Sequence, residues 1–183
     1  MTMMRPGVQL KPGAQLRSAV GRWRVDPAQS HASFAARAAG RLVQGRLPLT
    51  GRVFIAEPIE DSTAQLATRA GQVSTGSPVL DRQLAGPSFL DAGTFPEISF
   101  RSELLAWVPN GWRAVGLLQV KGAEHELACR LDMDPGSEPL GESPRFRITS
   151  SWILDSKWIT GHWIPGLTRR IPMMCSFLLE PDL

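Results

Sequence analysis

The chain has no tyrosine, only two cysteines, few lysines beside its many arginines, and no long apolar run. A helix that crosses a bilayer needs about 20 consecutive apolar residues, and no segment approaches that length. The opening "MTMMRPGVQLKPGAQLRSAV" contains no apolar stretch of signal-peptide length, so the sequence reads as a soluble, cytoplasmic chain. Cys129 and Cys175 are too few and too far apart for a disulfide framework or a CxxC metal site, and read as two buried thiols. The basic residues are scattered and the formal net charge is only +3, which leaves no electrostatic footprint for nucleic acid.

Chemistry-bearing motifs are missing as well. The sequence contains no GxSxG, no HExxH and no Gly-rich phosphate loop. His31, His125 and His162 show no ligand-like spacing, so no metal site is expected. In "EHE", on a strand leaving a hairpin, Glu124 and Glu126 share one face and His125 takes the other, which reads as a solvated turn. Asp26 and Asp91 stand beside Pro or Gly and read as turn or cap residues that satisfy backbone N–H groups. With no nucleophile–base pair, no catalytic residue and no cofactor motif to name, the chain reads as a non-enzyme.

What is present points to β-structure. A chain of 183 residues with 43% hydrophobic and 20% charged residues is one domain able to bury a core, and its 17 Gly and 15 Pro make it turn-rich. Residues 1–20, with Pro6 and Pro12, read as a loose extension, and residues 21–183 as the domain. In "SHASFAAR", Ala32, Phe34 and Ala36 share one face, and His31, Ser33 and Arg37 the other. A turn at Gly40 and Arg41 leads into "LVQGRLPLTGRVFIA", where Val43, Gly45 and Leu47 alternate with Gln44 and Arg46, and Val53 and Ile55 with Arg52 and Phe54. Pro48 and Gly51 predict a bulge or bend in that strand.

"STAQLATRAGQV" alternates again, Ala64 and Leu66 against Gln65 and Arg69. "SPVLDRQLAG" is the one helical candidate, with Ser77 at the cap, Pro78 at the first position and Gly86 beyond the end. "EISFRSELLAW" and "GWRAVGLLQVKG" form a hairpin through Pro109-Asn110-Gly111, and "HELACRLDM", "RFRITSSWIL" and "PMMCSFLLE" complete about eight strands at hairpin spacing. Such a pattern argues an antiparallel sandwich or a closed barrel. An eight-stranded barrel can hold a small or elongated ligand if its inward side chains are small. Ala32, Ala36, Gly45, Ala64 and Gly116 leave room, whereas Phe34, Phe100, Leu118 and Val120 coat the interior with hydrocarbon. Alternation alone weighs a packed core and an open tunnel equally.

Four pieces in order carry a family resemblance. "WRVDPAQSHASFAAR", "VQGRLPLTGRV", "STGSPVLDRQLAGPSFLDAGTFPEISFRS" and "VGLLQVKGAEHEL" resemble, in turn, the opening strand, second element, helix-and-loop stretch and hairpin of the YceI-like family. The likeness spans Trp23 to Asp134 and departs at the helix, where Leu80 and Gln83 replace the family's common Arg and His around Asp81. The resemblance implies a lipocalin-like eight-stranded antiparallel β-barrel with one short helix and an apolar internal tunnel. It further implies an isoprenoid lipid, polyprenyl or quinone-type, held for carriage, storage or sequestration.

On that reading the ligand-lining candidates are Ala32, Phe34, Ala36, Val43, Gly45 and Leu47 in the first strands, and Leu66 beyond them. Leu84 comes from the helix, Phe89, Phe95, Ile98 and Phe100 from "FLDAGTFPEISF", and Gly116, Leu118 and Val120 from the following strand. The alternative is a packed barrel that works as an interaction module without lipid, through the aromatic loop "WITGHWIPG". That loop reads either as a cover over the barrel end or as a mouth in transient contact with a membrane, where indole rings favour the interface. Pairing of two barrels as a homodimer stays open.

Overall fold

A computed structural model describes residues 19–109, 111–133 and 145–182. Apart from Ala19 and Val20, the expected N-terminal extension lies outside the described residues, as does the polar loop "DPGSEPLGESP". The strands are β1 (Gly21–Val25), β2 (His31–Ala38), β3 (Arg41–Pro48), β4 (Thr50–Ile55), β5 (Thr63–Arg69), β6 (Glu97–Val108), β7 (Gly111–Val120), β8 (Ala123–Met133), β9 (Phe146–Asp155) and β10 (Arg170–Pro181). β1 and β2 are successive halves of one bent strand, and β3 and β4 of another. Ten segments therefore make a closed eight-stranded antiparallel barrel, sealed where β1 and β2 both pair with β10.

The two bends coincide and have a common cause. Pro27 cannot donate to a ladder, and the segment from Asp26 to Ser30 bulges out of the first strand opposite the single residue Leu49. Backbone groups freed by the bulge find substitutes. Asp26 Oδ1 accepts from the Ala28 amide at 2.9 Å, as expected of a turn residue. Ser30, buried, accepts from the Leu178 amide through Oγ at 3.0 Å and from the Leu49 amide through its carbonyl at 3.0 Å.

Strand direction sorts the connections by end. The upper end carries the β2–β3 turn, the segment between β5 and β6, the β7–β8 turn and the loop between β9 and β10. The β2–β3 turn is made by Ala39 and Gly40, both at positive φ, so Arg41 already belongs to β3. Helix α1 (Pro78–Ala85) runs as expected from Ser77 to Gly86. Its start is held by Asp81, whose Oδ1 accepts from the Thr75 amide at 2.7 Å and the Thr75 hydroxyl at 2.6 Å. A second helical turn, α2 (Lys157–Thr160), departs from the single helix expected. "KWIT" carries no strong helix signal, but Gly161 at φ 77 ends the turn and Ile159 and Thr160 are buried beneath it.

Large apolar side chains crowd the lower end. Trp23, Val25, Ile55, Trp112, Phe177 and Leu179 belong to one buried cluster, and Trp23 meets Phe146 edge-on at 4.9 Å. The Trp23 indole N–H donates to the Ala19 carbonyl at 2.7 Å, which ties the incoming chain across that end.

Candidate ligand cavity

The barrel is nonetheless hollow, from Ile59 and Met133 near the lower end to Leu84 and Leu167 at the upper end. A cavity of about 310 Å³ runs among the inward side chains, at the lower edge of the volumes usual for small-molecule sites. Ala32, Phe34 and Ala36 line it from β2, Val43 and Leu47 from β3, and Leu66 from β5. Ile98 and Phe100 line it from β6, Leu118 and Val120 from β7, and Leu84 and Phe89 from the α1 segment. The ten of these twelve candidates that lie on strands converge because strand pleat sends every second side chain to one face, and Leu84 and Phe89 cover them from the α1 segment.

Three candidates do not reach the cavity, each for a steric reason. Gly45 lies under the Phe34 ring, where a Cβ would sit 2.5 Å from Cζ. Gly116 lies against the β6 backbone, where a Cβ would meet the Arg101 carbonyl oxygen at 2.1 Å. It accommodates the register shift between Ser102 and Leu104 instead of making internal room. Phe95 turns its ring onto Gly122 in the β7–β8 turn, whose Cβ position would be 2.7 Å from that ring.

Several lining residues lie outside the candidate set. Trp152 and Leu154 of β9, Met173 and Phe177 of β10, and Leu127 and Cys129 of β8 all face the cavity. Their signal was available: Ile148, Ser150, Trp152 and Leu154 alternate, as do Ile171, Met173, Cys175 and Phe177. Ile159 and Leu167 had no such signal, because they arrive from the loop between β9 and β10.

Among the described residues no charged side chain lines the cavity. Two of its hydroxyls are already engaged, Ser62 Oγ accepting from the Ala56 amide at 3.0 Å and Ser102 Oγ from the Ala64 amide at 2.7 Å. Both thiols are free and buried, as the sequence suggests. Burial, with a further push from nearby Cys175, raises the Cys129 thiol to about 12. Burial also pushes Cys175 up, while contacts to Trp152 and Ser150 hold it back. Two neutral thiols add little polarity, so the lining presents hydrocarbon.

The upper end is closed by α2 on one side and by α1 on the other. Trp158 stacks on His125 with ring centres 4.4 Å apart and planes at 13°. This corrects the reading of "EHE" as a solvated turn. Glu124 and Glu126 are exposed and His125 faces oppositely, but its ring is half-covered and its Nε2 is buried without a partner. Lys121 in the adjoining turn donates from Nζ to the Ile159 carbonyl at 2.9 Å and to the Pro87 carbonyl at 3.3 Å. One ammonium therefore links the two covering segments. Gln83 of α1 is both exposed and part of the lining, so the cavity meets solvent beside α1. Ala38, Val43 and Leu167, each partly exposed, also line the cavity at this end, from the β2–β3 hairpin and the loop after α2.

A closed antiparallel barrel around an apolar cavity, covered at one end by short helices, is the lipocalin-like class of architecture. The YceI-like domain model matches residues 23–155, and the chain belongs to that family. The match continues past Asp134, where the sequence resemblance had stopped.

The fold recurs in solved structures of low sequence identity. Burkholderia cenocepacia BcnA superposes with a TM-score of 0.73 at 16% identity, covering 84% of this chain and 98% of that one. A polyisoprenoid binding domain from Saccharophagus degradans, implicated in plant cell wall breakdown, gives a TM-score of 0.58 at 14% identity, with 87% and 98% covered. The Campylobacter jejuni YCEI protein gives 0.63 at 14% identity, with 77% and 86% covered. No curated protein shows significant similarity to the chain.

Proposed function

We propose that this protein holds an isoprenoid-type lipid, polyprenyl or quinone-type, inside its barrel, and acts by burial of the ligand instead of by chemistry on it. The observation that carries the reading is a cavity lined by hydrocarbon, with no charged side chain among the described residues, open beside α1. Membership of the YceI-like family and the polyisoprenoid binding neighbour support the same ligand class. The ligand leaves water along its length, and each five-carbon unit contributes roughly 3–4 kcal/mol gross at ~0.8 per methylene. Ordering the flexible chain offsets part of that gain. Carriage, storage and sequestration all follow from the same buried state.

The direct test is mass spectrometry of an organic extract of the purified protein. A co-purifying isoprenoid near equal stoichiometry is the expected result. A clean extract, together with failure of added isoprenoids to bind, rejects the reading and leaves an interaction module.

A further inference from the structure

The gap beside α1 opens onto an unusual stretch of surface. Leu42 at the tip of the β2–β3 hairpin is 56% exposed, Trp163 in the loop after α2 is 52% exposed, and Val79 in the first turn of α1 is 68% exposed. The loop and the hairpin form one rim: Ala38 bridges to Leu167, the Ala39 amide donates to the Gly166 carbonyl at 3.1 Å, and the Arg37 amide donates to Thr168 Oγ1 at 2.7 Å. Loop tips of soluble proteins normally carry polar residues, so three large apolar side chains around one opening call for a partner.

The charge on this rim says which kind. Arg37, Arg41, Arg46, Lys157, Arg169 and Arg170 are all exposed there. Among the described residues only Arg169 of these makes an ion pair, with Asp155 at 3.7 Å. At the lower end more of the cations are neutralised. There Arg24 and Arg145 pair with Glu180 at 2.8 and 3.6 Å, Arg52 with Asp182 at 3.3 Å, and Arg130 with Asp132 at 3.3 Å. Among the described residues Arg22 and Arg113 near the lower end are also exposed without an ion pair, and Val20, Phe54 and Trp107 are exposed there. What sets the upper rim apart is the larger number of unpaired cations beside apolar side chains at the end where the cavity opens.

We propose that this upper rim docks on an anionic lipid surface, with Leu42, Val79 and Trp163 among the head groups and Arg37, Arg41, Arg46 and Arg170 above them. An indole and aliphatic tips between basic side chains match the interface of an anionic bilayer, apolar below and negatively charged at its surface. A nucleic acid or other polyanion would use the cations and leave the three apolar side chains in water. Docking in this orientation sets the opening against the membrane, so an apolar chain could pass between bilayer and barrel without crossing water. Its purpose rests on the isoprenoid reading, but its test does not.

The test is flotation of the full chain with vesicles of phosphatidylcholine alone or mixed with phosphatidylglycerol, at low and high salt. The protein is expected to float with the mixed vesicles at low salt and to be released by high salt. Each basic residue near an anionic surface contributes about fivefold, so Arg37→Glu combined with Arg41→Glu should lower partition about 25-fold or more. Leu42→Ser with Trp163→Ser should also lower it, whereas Arg113→Glu near the lower end should not. None of these side chains lines the cavity, so every variant should keep whatever isoprenoid the parent extract contains, which doubles as the check on folding. Absence of flotation, equal loss in Arg113→Glu, or binding to heparin without binding to vesicles would overturn the docking proposal. A protein that carries isoprenoid yet ignores vesicles leaves the proposed function standing, and one that floats but holds no isoprenoid does the reverse.

Discussion

Ala36 and Cys129 show how single side chains report on a hollow interior. Ala36 is buried on the same face as Phe34 and lines the cavity. In a filled core a tryptophan there would cost about 1–3 kcal/mol by overpacking. With space in front of it, Ala36→Trp should cost less than about 1 kcal/mol and should displace the ligand. Denaturant unfolding and lipid content, measured on one preparation, check both halves. A badly destabilised variant from a lipid-free parent would mean a packed interior. Cys129 makes a pH prediction. Its thiol is raised from 9.0 to about 12 in the folded chain, so below pH 9 folded and unfolded states bind the same proton. Above 9 the unfolded state releases that proton first, and stability should fall as pH rises towards 12. Cys129→Ser should lessen that fall, with the raised Cys175 thiol supplying what remains, measured by unfolding across alkaline pH. Alkylation of the native thiol should be slow for the same reason.

At the scale of elements, the upper end depends on pieces that reach across the barrel. Lys121 sits in a two-residue turn with Gly122, at φ 49 and 74, and its Nζ bonds carbonyls of both covering segments. Lys121→Asn keeps a residue that tolerates the left-handed turn but removes the ammonium. The expected outcome is release of bound isoprenoid several-fold faster, with a stability loss of about 1 kcal/mol or less, since the bonds are partly exposed. Transfer to acceptor vesicles, followed in time, measures it, and an unchanged rate would show that the segments are held by packing alone. The two helices differ in legibility for a physical reason. α1 has Pro at its first position and Gly after its last, which are local signals. α2 is a single turn whose formation follows from burial of Ile159 and Thr160 and stacking of Trp158 on His125.

For the whole molecule, the gap beside α1 is the way in and buried side chains near the lower end bound the cavity from below. Trp23, Val25 and Leu179 are buried in one cluster and are not part of the lining, which makes them its floor. Affinity should therefore climb with each added isoprene unit and level off once the chain fills the space above that floor. Calorimetric or fluorescence titration with isoprenoids of increasing length checks this, and a flat series would defeat the tunnel. Changes to the polar end should matter less, because no charged group lines the cavity among the described residues.

Alternation in β2, β3, β5 and β7 was enough to argue an antiparallel sandwich or barrel and to give the inward face of those strands, because pleat ties side-chain direction to sequence parity. The family resemblance chose the barrel. The helix between Ser77 and Gly86 was equally local. Tertiary structure alone decided whether the interior is filled. Gly45 and Gly116 illustrate why: each looks like vacant space along its own strand, yet one is occupied by the Phe34 ring and the other by the Arg101 carbonyl. Volume depends on what arrives from a neighbouring strand, and parity carries no information about that. The upper rim is the same case, since the β2–β3 hairpin with Leu42 and the loop with Trp163 are far apart in sequence and meet through the Ala38–Leu167 bridge only because the barrel closes.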